Sequence, residues 1–181
     1  MTDHLLGALR RANKAIALLL GVALVLTVLF ILTDVILRKL GSGSLGGSDE
    51  ISGYVMAAVA SWGLACALSE RAHVRIDVLR LKLARPAQMA MDLFAMIVTN
   101  GVVLLIAWHC WPVLGKTLER GSRANTPLET PLWIPQGIWF AGWLWFALTA
   151  TVLSLVGIAY LRAAREAEFE AAIGIGSEVQ E

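Results

Sequence analysis

Charge is scarce in this sequence. Only 16% of its residues are Asp, Glu, Lys or Arg and 57% are hydrophobic, where a globular domain carries about 25% and about 45–50%. The deficit is concentrated in blocks. Charge-free runs of about twenty residues, enough to cross a bilayer, recur along the chain. A soluble core built from 181 residues cannot bury such continuous apolar stretches, whereas hydrocarbon can. Cysteine is also rare. Cys66 and Cys110 lie in apolar runs with no C-x-x-C or Cys/His spacing, which argues against structural zinc or a disulfide framework and leaves them as small packing residues. His4, His73 and His109 are far apart in sequence. With no glycine-rich phosphate loop, H-E-x-x-H or nucleophile elbow, the sequence predicts neither an enzyme nor a cofactor or metal site. A net charge of +1 gives no basic footprint for nucleic acid.

What is present is an all-α, polytopic pattern: four spans at about 15–37, 51–69, 89–111 and 137–160. Arg10, Arg11 and Lys14 precede the first run, which is too long for a signal-peptide core and lacks an A-x-A site, so it reads as an uncleaved span. Gly41 to Gly47 form a Gly/Ser break. Ser48 suits an N-cap, with Asp49 and Glu50 at the positive end of the next helix. In span two, Gly53, Ala57, Ser61, Ala65 and Ser69 are each four apart and make a small-residue ridge that lets a neighbouring backbone approach. The neighbour, in this chain or another, is left open. Glu70 to Pro86 interleaves five cations with Val74, Val78 and Leu81, the pattern of a short amphipathic interfacial helix at about 73–85. Pro112 closes span three, and Gly115 to Pro135, with three prolines, reads as a rigid irregular connection. Residues 1–165 make one membrane domain, and 166–181 a cytoplasmic tail, partly disordered after Gly174.

Lys and Arg divide ten to five between the two sides of this layout, which puts both termini in the cytoplasm under the positive-inside rule, and Trp108, Trp111, Trp133 and Trp139 gather at the outer interface as an aromatic belt. The midplane of every span lacks Asp, Glu, Lys and Arg, where a substrate pathway would leave ionisable groups. Asn100 is the one strongly polar residue deep in a span and suits an interhelical hydrogen bond. Asp34, Glu50, Asp92 and His109 sit near helix ends, and Asp34 and Arg38, four apart, can pair.

One ordered set of residues is informative as a unit. Asp34-Val35-Ile36-Leu37-Arg38, Glu50 opening span two, Trp62-Gly63 within it, then Ala72-His73-Val74-Arg75-Ile76-Asp77 resembles the small permease (DctQ-like) subunit of tripartite ATP-independent periplasmic (TRAP) transporters. Thr126 to Trp133 suits that family's approach to the fourth span. The resemblance implies a multi-pass inner-membrane scaffold that binds a large permease subunit carrying the substrate and sodium sites, helps dock a periplasmic substrate-binding protein, and serves symport of an organic acid. It implies family or subunit-interface roles for Asp34, Arg38, Glu50, Ala57, Ser61, Trp62, Gly63, His73 and Asp77, with membrane lipids as the remaining partner. The competing reading is an autonomous homo-oligomeric exporter, which requires a working membrane carboxylate at Asp34 or Glu50. A haem-bearing subunit would need His73 and His109, which this topology puts near opposite interfaces.

Overall fold

A computed structural model describes residues 2–41, 43–72 and 82–174. Its helices are α1 (Thr2–Lys39), α2 (Ser48–Ser69), α3 (Arg85–Arg120), α4 (Trp133–Arg162) and α5 (Glu166–Ala172). The first four are long and apolar enough to span a membrane. They exceed the hydropathy-defined spans because backbone hydrogen bonding continues beyond the hydrocarbon. At about 1.5 Å per residue α1 reaches about 57 Å, nearly twice the hydrocarbon thickness of about 30 Å.

The four helices form an open row in the order α1–α2–α4–α3. α2 packs on both α1 and α4, α4 also packs on α3, and α1 meets α4 only lightly. Burial is greatest in α4: half of its apolar window is covered by protein, against 17% of those of α2 and α3 and 6% of that of α1. Small residues let α4 take neighbours on two sides. Gly142, Ala147, Ala150, Ser154 and Gly157 are all buried. The ridge on α2 finds its neighbours within this chain along its later half, where Ser61, Ala65 and Ser69 are buried, while Gly53 is exposed. Thr151 on α4 donates to Asn100 Oδ1 on α3 at 2.9 Å, the interhelical bond expected of a deep asparagine.

A second polar staple was not expected. Asn13, 1% exposed, donates to Ser69 Oγ and to the Ala65 carbonyl, and accepts from Trp145 Nε1 at 2.7 Å. One side chain thus joins α1, α2 and α4. Asn13→Leu should lower stability by about 1–2 kcal/mol, since Ser69 can turn back to its own helix carbonyl but the Trp145 N–H is left orphaned. The readout is a fall of roughly 2–8 °C in the thermal midpoint in detergent. An unchanged midpoint would refute the staple.

Two connections differ from the sequence reading. α3 runs through Pro112 to Arg120, so Gly115 to Arg120 are helical. Proline is tolerated in membrane helices because its surroundings re-satisfy the freed carbonyl. The remaining turn is ordered by a bridge between Arg123 and Pro131, with Ala124 N donating to the Thr130 carbonyl at 2.9 Å and Leu132 N to that of Ser122 at 3.0 Å. The segment after α4 also contains α5, which plugs one end of the row with Phe169, Ala172 and Ile173, all buried against Leu9, Val156 and Tyr160. Tyr160 donates to Asp3 at 2.6 Å, Arg85 pairs with Glu170 at 2.8 Å, and Arg165 lies 4.9 Å from the Tyr160 ring centre. A hydrogen bond from its own backbone N–H, then the Arg165 guanidinium, holds the Glu168 carboxyl below its usual range. Its contribution is present above the ordinary glutamate pKa and fades as pH falls through the lowered value. Of the proposed interfacial helix, residues 73–81 lie outside the described residues, as does the tail beyond Gly174.

Candidate functional site: a carboxylate cap at one end of the row

At the end opposite α5, the last turn of α1, the first turn of α2 and the α3–α4 connection converge. Asp34, 1% exposed, is the centre. Its Oδ1 accepts from Ser44 Oγ at 2.8 Å and from the Leu45 backbone N–H at 2.7 Å. Its Oδ2 accepts from Ser48 Oγ at 2.9 Å and from Arg38 Nη2 at 2.5 Å. Both oxygens are thereby fully engaged. Arg38 also donates to Ser44 Oγ at 3.1 Å and to Ser48 Oγ at 3.3 Å. Asp34 lies five residues before the end of α1 at Lys39, and this shell of donors offsets the cost of burying its charge.

The Gly/Ser break is what delivers the donors. Gly47 sits at φ 72°, which only glycine adopts freely, and a Cβ there would collide with the Leu128 side chain. Gly47, not Ser48, is the N-cap of α2, and no side chain caps it. Ser48 is the first helical residue, and its hydroxyl goes to the buried carboxylate instead, where a charge-assisted bond is stronger than a neutral cap.

Glu50 fastens this corner to the α3–α4 connection. Its Oε1 accepts from the Tyr54 hydroxyl at 2.7 Å and its Oε2 from Thr126 Oγ1 at 2.5 Å. As a first-turn acid of α2 it also meets the positive end of the helix dipole. The nine sequence-selected residues therefore separate. Asp34, Arg38 and Glu50 are drawn together at the cap. Ser61 and Trp62 lie on the α2–α4 seam, where Trp62 Nε1 donates to the Ile138 carbonyl at 2.9 Å and Ser61 abuts Gly142. Ala57 is half-buried higher on the ridge. Gly63 has open space where a Cβ would stand, so no close approach within this chain explains it. His73 and Asp77 lie outside the described residues. Sequence reasoning missed Ser44 and Thr126 as partners of the two acids.

Among the described residues no three His, Cys, Asp or Glu side chains group in a way that could hold a metal. The cap is built for cohesion, since its donors and acceptors meet one another. Trp133 is exposed where α4 begins at this same end, and Trp108 and Trp111 are exposed on the half of α3 that leads to it. Four apolar spans in an open row, locked at one end by internal polar bonds, define a multi-pass α-helical membrane protein. The family of tripartite ATP-independent periplasmic transporters, DctQ component, matches residues 27–160. This chain belongs to that family and is the small membrane component of a TRAP transporter. No curated protein and no solved structure matches it.

Proposed function

We propose that this subunit is the stationary scaffold of a sodium-coupled uptake system for an organic acid in the bacterial inner membrane. It grips the large permease subunit through its helix row and contributes the capped end to the surface on which the periplasmic binding protein docks. The observation that carries this reading is the contrast between midplanes without Asp, Glu, Lys or Arg and end carboxylates already engaged by internal donors. A chain that moved substrate or protons alone would need an available intramembrane ionisable group, and neither Asp34 nor Glu50 is available in that sense. The exporter reading therefore has no observation in its favour. The ten-to-five division of Lys and Arg and the exposed tryptophans toward the cap end support a cytoplasmic α5 end and a periplasmic cap. The proposed roles of His73 and Asp77 rest on the family resemblance alone.

Purification of the tagged chain in mild detergent is expected to bring down a larger polytopic subunit. Glu50→Ala should cut co-purification or substrate uptake several-fold without preventing insertion, since it unfastens the corner that joins α2 to the α3–α4 connection. A monodisperse chain with no large partner, from cells encoding a complete system, would overturn the scaffold reading. Full yield and uptake in Glu50→Ala would remove the cap from it.

A further inference from the structure

We propose that the α5 end carries a binding site for an anionic glycerophospholipid, with the headgroup phosphate seated between α1 and the end of α2. Arg10, Arg11, Lys14, Ser69, Glu70 and Arg71 line an open depression of about 210 Å³, so four cations face one carboxylate. Two of those cations are fixed in place: Arg10 donates to the Ala171 carbonyl at 3.1 Å and Arg71 to that of Glu170 at 3.3 Å. Arg71 holds φ 56° as the left-handed close of α2, its N–H on the Leu68 carbonyl and that of Ala72 on the Ala67 carbonyl. The bonds to the Ala171 and Glu170 carbonyls tie the two guanidinium groups to the α5 plug. Arg11 and Lys14 are exposed and make no hydrogen bond or ion pair among the described residues.

Depth and surroundings favour a lipid over a free anion. The apolar run of α1 starts directly after Lys14, and α2 ends at Ser69, so the depression opens at the boundary between hydrocarbon and headgroups. From Lys14 the same side of α1 continues in four-residue steps through Leu18, Val22 and Leu26, all exposed. An acyl chain can lie along that stripe while its phosphate reaches the cations. Basic pockets between spans bind phosphate headgroups in this manner.

The test is native mass spectrometry of the full chain in detergent, titrated with phosphatidylglycerol and phosphatidylethanolamine of identical acyl chains, and separately with inorganic phosphate. The anionic lipid is expected to bind at least about tenfold tighter than the zwitterionic one, with a preference that shrinks as salt rises. Arg11→Gln/Lys14→Gln should weaken phosphatidylglycerol about 30-fold and phosphatidylethanolamine, which carries the same phosphate beside an ammonium, by less, so that the preference falls. The charge-preserving Arg11→Lys/Lys14→Arg should bind as wild type, which keeps the test decisive if the neutral variant does not fold. Equal affinity for the two lipids, or loss of preference in the charge-preserving variant, would overturn the proposal. So would full phosphatidylglycerol affinity in the neutral variant, and inorganic phosphate binding as tightly as the lipid would make the site one for free anions.

Discussion

Asp34→Ala is expected to destabilise the chain by about 3 kcal/mol, the low end of the range for removing one member of a buried ion pair. The position in that range follows from exposure. Arg38 is half exposed, at 51%, so water can solvate the guanidinium left behind. The Ser44 and Ser48 hydroxyls and the Leu45 N–H lose their common acceptor together, and the loop between α1 and α2 keeps only the longer bonds from Arg38 to the two serines. At roughly 2–4 °C per kcal/mol, the thermal midpoint in detergent should fall by roughly 6–12 °C. Asp34→Asn should fall between the two, because it keeps one acceptor oxygen but turns an amide toward donors, some of which are hydroxyls able to rotate and accept. Hydrogen exchange at the Leu45 amide gives a local readout that should rise steeply in the alanine variant. A wild-type midpoint in Asp34→Ala would show that the cap contributes nothing to cohesion.

The spans were legible because the bilayer imposes a length and a composition that need no knowledge of tertiary contacts. The Asp34–Arg38 pair was legible for a similar reason, since a spacing of four places both on one helical face. Its other partners were not. Ser44 and Ser48 reach Asp34 only through a loop whose glycines at positions 41, 43, 46 and 47 hold positive φ, and no periodicity announces which donors such a loop will deliver. Ser48 looked like a cap for the same reason: position suggests capping, but a nearby buried carboxylate competes for the hydroxyl. Pro112 looked like a stop because that rule is learned in water. The plug at α5 had a signal that went unread, namely Phe169 and Ile173 four apart in a helix-forming Glu/Ala context, where the surrounding charge suggested a solvated tail. The partner of the ridge on α2 was hidden because adjacency in the row does not follow chain order, with α4 standing between α2 and α3.

That adjacency makes Gly142 a position where one added methyl should force α2 and α4 apart. A Cβ on Gly142 would overlap Ser61 Oγ, Ser61 Cβ and Trp62 Cδ1. The Ser61 Cβ is the root of its side chain, so rotation cannot move it aside and the helices themselves must separate. Separation also stretches the bond from Trp62 Nε1 to the Ile138 carbonyl, one turn earlier on α4. Gly142→Ala is expected to cost about 1–3 kcal/mol, the usual penalty for overpacking a close contact, and Gly142→Leu should exceed it and reduce yield of folded chain. A double-mutant cycle separates this close approach from a general intolerance of α4 to change. Ser61→Gly removes two of the three obstructing atoms, so Ser61→Gly/Gly142→Ala should be less destabilised than the sum of the single variants, by about 0.5–3 kcal/mol of coupling. Recovery stays partial because Trp62 Cδ1 remains in place. Additive effects in thermal unfolding would mean that α2 and α4 do not meet at this pair, and the row would have to be reordered.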